Sequence, residues 1–393
     1  MMSEKHERVQ KIKKHLGKVC KVDSTQREAK EIIEEKGLRE FATVAARHLD
    51  RRSFLTAMGG AAFSLGLLDF MSGEAKAQEK NYLPPQKYNA VYCSLGLSIF
   101  WVHAGAETLD KLGQMLGFKF KIYDGKLNVE NQRGQIETVA SQAKDWNAVF
   151  IHPNAIGAFT EPCKAIIAKG VPLIDIDTRL TEKIGDLDIL TFTEPDNEFM
   201  GASVTEEICR AINYEGGIVE TQGMLTHTGA QGRHRGFMKT IKKYPKIKIL
   251  DQTPANWDQN KVREIWDNLL VKYGKDIKAG FFHNDDMALA AESSCKANGF
   301  QAGAKGIFLG GVDAVGPALE EFKKGRLYAT VANPPSRDHG FGLWAAYWHI
   351  VRNEKKASIP KYISCDGPLY SRSDPLIWEK VESGIWLSNH YLI

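Results

Sequence analysis

Polar residues that each carry a fixed set of hydrogen-bonding groups recur at wide intervals in this chain. They are His152, Asp177, Asn284, Asp313 and Asn333, with Thr226, His227 and Thr228 among them. Few of them could serve as a nucleophile. Imidazole, carboxylate and carboxamide groups instead offer planar arrays of donors and acceptors. Aromatic rings stand near them along the chain (Phe100 and Trp101, then Trp257), and Arg235 adds a guanidinium fork. Such a set suits a polyhydroxylated ligand. Each hydroxyl both donates and accepts, and the C–H face of a sugar ring packs on an aromatic face. A buried polar group left unpaired costs about 1–3 kcal/mol, so a site of this kind rejects a ligand with one hydroxyl missing or inverted.

The five polar residues share a place: each closes a β-like run. The pattern predicts strands over 88–95, 119–124, 147–152, 171–177 and 188–193, then over 216–223, 246–252, 277–284, 306–313 and 327–333. Amphipathic stretches between them predict helices over 101–116, 130–144, 158–169, 197–212, 231–243, 259–273, 285–298 and 336–352. Alternation of this kind predicts parallel sheets covered by helices on both faces, an α/β fold. The series breaks near Glu194-Pro195-Asp196, which predicts two doubly wound lobes. Ligands of such sheets bind outside the carboxyl ends of the strands, where the polar residues stand.

The rest of the chain bears on location. No apolar run reaches the roughly 20 residues that a membrane-spanning helix needs. Residues 1–52 hold 14 Lys and Arg against 9 Asp and Glu, so the net +4 of the whole chain arises ahead of Ser53 and is no argument for nucleic-acid binding. Asp50-Arg51-Arg52-Ser53-Phe54-Leu55 resembles a twin-arginine export motif. A glycine-diluted apolar stretch follows to about Phe70, then Ala75-Lys76-Ala77, a small-x-small pattern that places cleavage after Ala77. Residues 1–77 are therefore expected to be a long n-region and signal peptide, and the protein is expected in the periplasm. The six cysteines, widely spaced and without a C-x-x-C pair, read as buried thiols.

Three stretches carry a family resemblance: "FFHNDDMALAAESSCKANG", "IFLGGVDAVGPALEEFKKGRLYATVAN" and "HGFGLWAA". Together with "VPLIDIDTR", "QGRHRGF" and "TPANWDQNKV" upstream, they resemble the periplasmic sugar-binding proteins of ABC importers related to ribose-binding protein, over nearly all of residues 88–352. The resemblance implies two α/β lobes joined by three crossovers, near Pro195, Asn333-Pro334 and Ser364. The lobes would be 86–195 plus 334–363 and 196–333 plus 364–393. It implies Phe100 as a stacking ring, Asp177 as an acceptor, Arg235 as a donor fork and Trp257 as the opposing ring. Asn284 and Asp313 would be further hydrogen-bonding groups, and Asn333 stands where the family often has Gln. His152 stands where an Asn is expected. The first loop, "SLGLSIFW", lacks the paired asparagines of the ribose binder, and Thr178 separates Asp177 from Arg179. These departures put D-ribose itself in doubt while leaving a monosaccharide or sugar alcohol as the ligand class.

The implied role is capture without catalysis by a monomer that needs no cofactor and no resident metal. Its partners would be the ligand, an ABC permease and, during export, the twin-arginine translocase, with no nucleic acid among them. His227, His234 and His283 read as surface or supporting groups. His283 with Asp285 and Asp286 lacks a further cluster to complete a metal site. The competing readings are a secreted enzyme acting on carbohydrate and a sugar-sensing receptor subunit. No G-x-G-x-x-G after the first strand, G-x-S-x-G or H-E-x-x-H supports the enzyme. The tail from Cys365 is longer and more aromatic than the resemblance implies, and no element is assigned to it.

Overall fold

Strands with no polar face must be covered on both sides, and the first one shows it. In β1 (Tyr88–Ser94) five consecutive residues are buried. It lies in a parallel sheet with β2 (Phe118–Asp124), β3 (Ala148–Ile151), β4 (Leu173–Ile176) and β5 (Thr191–Glu194). Between these strands run α1 (Phe100–Met115), α2 (Val129–Ser141) and α3 (Thr160–Ala168). The computed structural model describes residues 84–365 and 367–389. The Arg51-Arg52 motif and the cleavage position after Ala77 lie outside the described residues.

After β5 the chain leaves this sheet and builds a second. Its strands are β6 (Gly216–Gln222), β7 (Ile247–Pro254), β8 (Ile277–Phe282), β9 (Ala302–Gly303), β10 (Ile307–Asp313) and β11 (Ala329–Ala332). Its helices are α4 (Asn197–Ala211), α5 (Thr228–Ile241), α6 (Gln259–Tyr273), α7 (Asp285–Ala297) and α8 (Gly316–Lys323). The chain then returns: α9 (Pro335–Ile350) packs on α1, β4 and β5, and β12 (Tyr362–Ser364) pairs in parallel with β5. It crosses once more to β13 (Leu369–Ser371), antiparallel to β11, and ends in α10 (Ile377–Asn389) against α8. The strand orders are β12-β5-β4-β3-β1-β2 and β13-β11-β10-β8-β6-β7, with β9 beside β10. Each sheet is thus doubly wound, and three crossings join them.

Among the described residues, the tail supplies what the sequence pattern did not show. Strands of three residues, such as β12 and β13, are too short to display alternation. The eight-residue α8 carries a start signal, a proline in its first turn, but is too short to display helical periodicity. Cys93, Cys163, Cys209, Cys295 and Cys365 are buried and form no disulfide.

Two packing features set up the space between the lobes. The apolar cluster around Trp266 in the second lobe continues through Trp257 to Leu95, Ile99 and Trp101 of the first. Helices α4 and α5 approach closely because Gly236 faces α4. A Cβ there would stand 2.1 Å from the Glu198 carbonyl oxygen. That approach brings residue 233 on α5 against Asn197 at the start of α4.

Candidate ligand-binding cleft

In the first lobe the site begins at the ends of β3 and β4. His152 follows β3 directly and is 1% exposed. Its loop is tied down by Gln132 of α2, whose side chain donates to the His152 carbonyl (2.7 Å) and accepts from the Asn154 N–H (2.8 Å). Asp177 follows β4 with φ +59°, the left-handed region that a side chain enters only at a cost. Trp257 (φ +66°) and Asp313 (φ +110°) in the second lobe share that strain, so three of the residues singled out from the sequence hold uncommon backbone conformations. Such strain persists only where the surroundings over-determine it, and it gathers at ligand clamps.

In the second lobe the organising group is Arg233 on α5, 4% exposed. Its Nε donates to Asn197 Oδ1 (3.0 Å) and its Nη1 to the His283 carbonyl. Its Nη2 faces Asp313 Oδ1 at 3.7 Å, and its guanidinium lies 5.7 Å from the Trp257 ring centre. Asn333 closes the corner. Its backbone carbonyl accepts from Trp101 Nε1 (2.6 Å), and its amide oxygen is best placed toward Arg233 Nη2 and Trp101 Nε1, 3.2 Å from each. Burial pushes the Asp313 carboxyl up to about 7 against the opposing pull of Arg233. Burial, then the charge of Asp177, pushes Glu194 up to about 8.

The lobes meet at three polar residues. His152 Nε2 lies 3.3 Å and His227 Nε2 3.4 Å from Asp177 Oδ2, and the two nitrogens are 3.4 Å apart. Thr178 Oγ1 also contacts His227 Nε2. Burial would raise Asp177, but the His152 hydrogen bond and the more distant charge of Arg233 hold it below the usual carboxylate range. Burial pushes His227 down to about 3, so its imidazole is neutral at neutral pH. Two imidazoles and a carboxylate this close are a conceivable metal triad. His227 decides otherwise. Its Nδ1 accepts from the Gly229 N–H (3.1 Å), so its one proton sits on Nε2, the atom a metal would need bare. That proton has Thr178 Oγ1 as its acceptor, while His152 Nε2 faces Asp177 Oδ2. Backbone contacts reinforce this junction: Ile156 N donates to Thr226 O (3.1 Å) and Arg179 N to Thr228 Oγ1 (3.1 Å).

The structure brings His152, Asp177, Trp257, Asp313 and Asn333 toward one interlobe space and places three residues differently from expectation. Phe100 is 40% exposed as the first residue of α1. Trp101 is the buried ring, 5.6 Å from His152 and 5.2 Å from His339. Adjacent helical residues point about 100° apart, so only one of the pair can face inward. Arg235 is on the surface beside Glu198, at 3.6 Å. It sits two positions, about 200° of helix, beyond Arg233. Asn284 is buried but caps α7, accepting from Met287 N at 2.9 Å. His227 and His283, read as surface or supporting groups, are both buried. His227 joins the junction, and His283 pairs with Glu220 at 3.0 Å. Asp285 turns to Ala314 N (2.7 Å) and Thr330 Oγ1 (2.9 Å), away from any shared metal position with His283. The signal for Arg233 and Trp101 was present in the sequence, but the helical phase needed to choose them was not.

Trp257 lies flat against Gly223 at the end of β6. A Cβ at Gly223 would stand 2.1 Å from its ring. Gly223→Ala is expected to push the indole off its seat, cost about 1–3 kcal/mol of stability through overpacking, and weaken ligand binding at least tenfold. Thermal unfolding with and without ligand measures both effects.

Two doubly wound lobes, joined by three crossings and lining one cleft with buried polar groups at their strand ends, define a two-lobed cleft-binding protein. Residues 92–353 match the model of the periplasmic binding protein domain, and the chain belongs to that family. It is 24% identical over 273 residues to the xylitol-binding protein of Mycolicibacterium smegmatis, covering 68% of this chain and 75% of that one. It is 26% identical over 248 residues to the galactofuranose-binding protein YtfQ of Escherichia coli, covering 62% of this chain and 77% of that one. A crystal structure of a galactofuranose-binding protein superposes with a TM-score of 0.69 at 23% identity, over 77% of this chain and 99% of that one.

Proposed function

We propose that this protein captures a monosaccharide or sugar alcohol between its lobes and delivers it, chemically unchanged, to an ABC import permease. The observation that carries the reading is the convergence of buried hydrogen-bonding groups from both lobes. His152 and Asp177 come from one side, and Arg233, Trp257 and Asp313 from the other. Three buried atoms of this set, His152 Nδ1, Asp177 Oδ1 and Trp257 Nε1, have no partner within the protein. Ligand hydroxyls would satisfy them, and a ligand touching both lobes favours the closed form. The polyol and sugar named for the two relatives support this ligand class. A periplasmic location, export through the twin-arginine translocase, a monomeric state and docking to the permease belong to the same reading.

Thermal unfolding of the whole chain against pentoses, hexoses and four- to six-carbon polyols tests it. A ligand at a thousandfold excess over its Kd stabilises the native state by about 4 kcal/mol. One or two stereoisomers are expected to raise the transition, with Trp101→Ala abolishing the shift and Phe100→Ala preserving it. No shift across the panel would refute the ligand class.

A further inference from the structure

The two histidines at the junction differ in what their second ring nitrogen meets. His227 spends its other nitrogen on the Gly229 N–H. His152 does not: its Nδ1 is buried and has no partner in the protein. Its Nε2 faces Asp177 Oδ2 at 3.3 Å, and an ionised carboxylate oxygen can only accept. A ring proton shared with Asp177 therefore sits on Nε2, which leaves Nδ1 as the nitrogen free to accept. Asp177 Oδ1, beyond the same hydrogen bond, is also buried without a partner. The first lobe thus holds two buried acceptors without protein partners at this point of the cleft.

We propose that His152 is a specificity-determining residue, held by Asp177 in the Nε2–H tautomer so that Nδ1 accepts a hydrogen from a ligand hydroxyl. The assignment deepens the sugar-or-polyol reading and rests on it. It narrows the ligand's chemistry. The part lying against the first lobe donates two hydrogens, one to His152 Nδ1 and one to Asp177 Oδ1. Free hydroxyls do this, and a carbonyl, an ether or a fully ionised acid does not. An amide at position 152 would offer a donor as well as an acceptor and accept a wider range of groups. Imidazole in a fixed tautomer is the stricter reader. Trp101 packs edge-to-face against the His152 ring (5.6 Å, 78°), and Gln132 holds its backbone carbonyl, so the ring has little room to turn.

Two measurements on the full chain separate this assignment from the broader function. The first needs no ligand. Long-range proton–nitrogen correlation spectra of 15N-histidine protein at pH 7.5, with His152 identified by its absence in His152→Asn, are expected to show the Nε2–H tautomer. A ring protonated at Nδ1, or at both nitrogens, overturns the proposal even if a sugar binds. The second is titration of wild type, His152→Asn and His152→Leu with D-ribose, L-arabinose, D-galactose and xylitol. For any probe that binds wild type, His152→Leu is expected to lose at least 100-fold in affinity. His152→Asn is expected to stay within about tenfold, because its amide oxygen still accepts. Leucine binding within threefold of wild type overturns the role. An Nε2–H ring in a protein that binds none of the four and shows no shift across the thermal panel removes the sugar reading and the ligand role with it, while the tautomer stands.

Discussion

Arg233→Met is expected to abolish sugar retention, with affinity falling at least 100-fold, while Arg235→Met leaves it unchanged. The two arginines share a helix and differ in what surrounds them. Arg235 is solvated beside Glu198, an exposed pair of the kind worth between 0 and about 1 kcal/mol. Arg233 is buried and is the common partner of Asn197, the His283 carbonyl, Asp313 and Asn333. Removing one member of a buried charged set leaves the others desolvated and unpaired, at a cost of about 3–5 kcal/mol. About 3 kcal/mol drawn from binding is already more than 100-fold in Kd. Arg233→Lys keeps the charge and loses the planar fork, so it should not restore affinity. Isothermal titration with the ligand found in the thermal panel decides the matter. Arg233→Met binding within tenfold of wild type would remove Arg233 from the site.

Glu220→Gln is expected to reshape the acid side of the stability profile. Glu220 on β6 is fully buried, yet it accepts from four side chains: His234 Nδ1 (2.9 Å), His283 Nε2 (3.0 Å), Gln222 Nε2 (2.9 Å) and Gln252 Nε2 (2.7 Å). Burial alone would push this carboxyl up. The hydrogen bonds and charge of His234 and His283 outweigh it and bring it down to about 2. A carboxyl held below its unfolded value stabilises the fold above the unfolded pKa of 4.5, and the contribution is lost as pH falls from about 4.5 toward 2. At 1.36 kcal/mol per pKa unit the contribution is about 3 kcal/mol. The Glu220 hydrogen bond raises His234, whose contribution is present below 6.5 and lost as pH rises through its folded value. The variant should therefore be less stable at pH 7 by roughly 3 kcal/mol, and its unfolding temperature should depend less on pH between 5 and 3. Calorimetry from pH 7 down to 3 checks both. An unchanged slope would mean that Glu220 titrates normally in the native protein.

The periodicity of the chain brought out most of the fold. Runs of β-branched and aromatic residues bounded by polar ones located ten of the thirteen strands among the described residues. The inner ones, buried on both faces, are largely apolar, and the edge strands β2 and β7 mix apolar with polar residues. What escaped was short or late. The three-residue strands β12 and β13 owe their existence to the edges of sheets already formed, to which they pair. The helix predicted over 231–243 starts instead at Thr228, where the His227 ring accepts from Gly229 N as its cap.

That shift of start bears on the site. By itself the sequence determined the strand ends, and with them His152, Asp177, Asp313 and Asn333, because ligand-facing loops must follow the carboxyl ends of parallel strands. It also determined that rings and an arginine stand near them. Tertiary structure decided which ring and which arginine. The inward face of a helix depends on its rotation about its own axis, and that rotation is set by contacts with another element: Gly236 against Glu198 for α5, and the Trp101 N–H against the Asn333 carbonyl for α1. Residues one or two places apart in sequence therefore differ between the cleft and the solvent. Only tertiary structure could bring His227 to Asp177, since the two come from different lobes and meet where the lobes close.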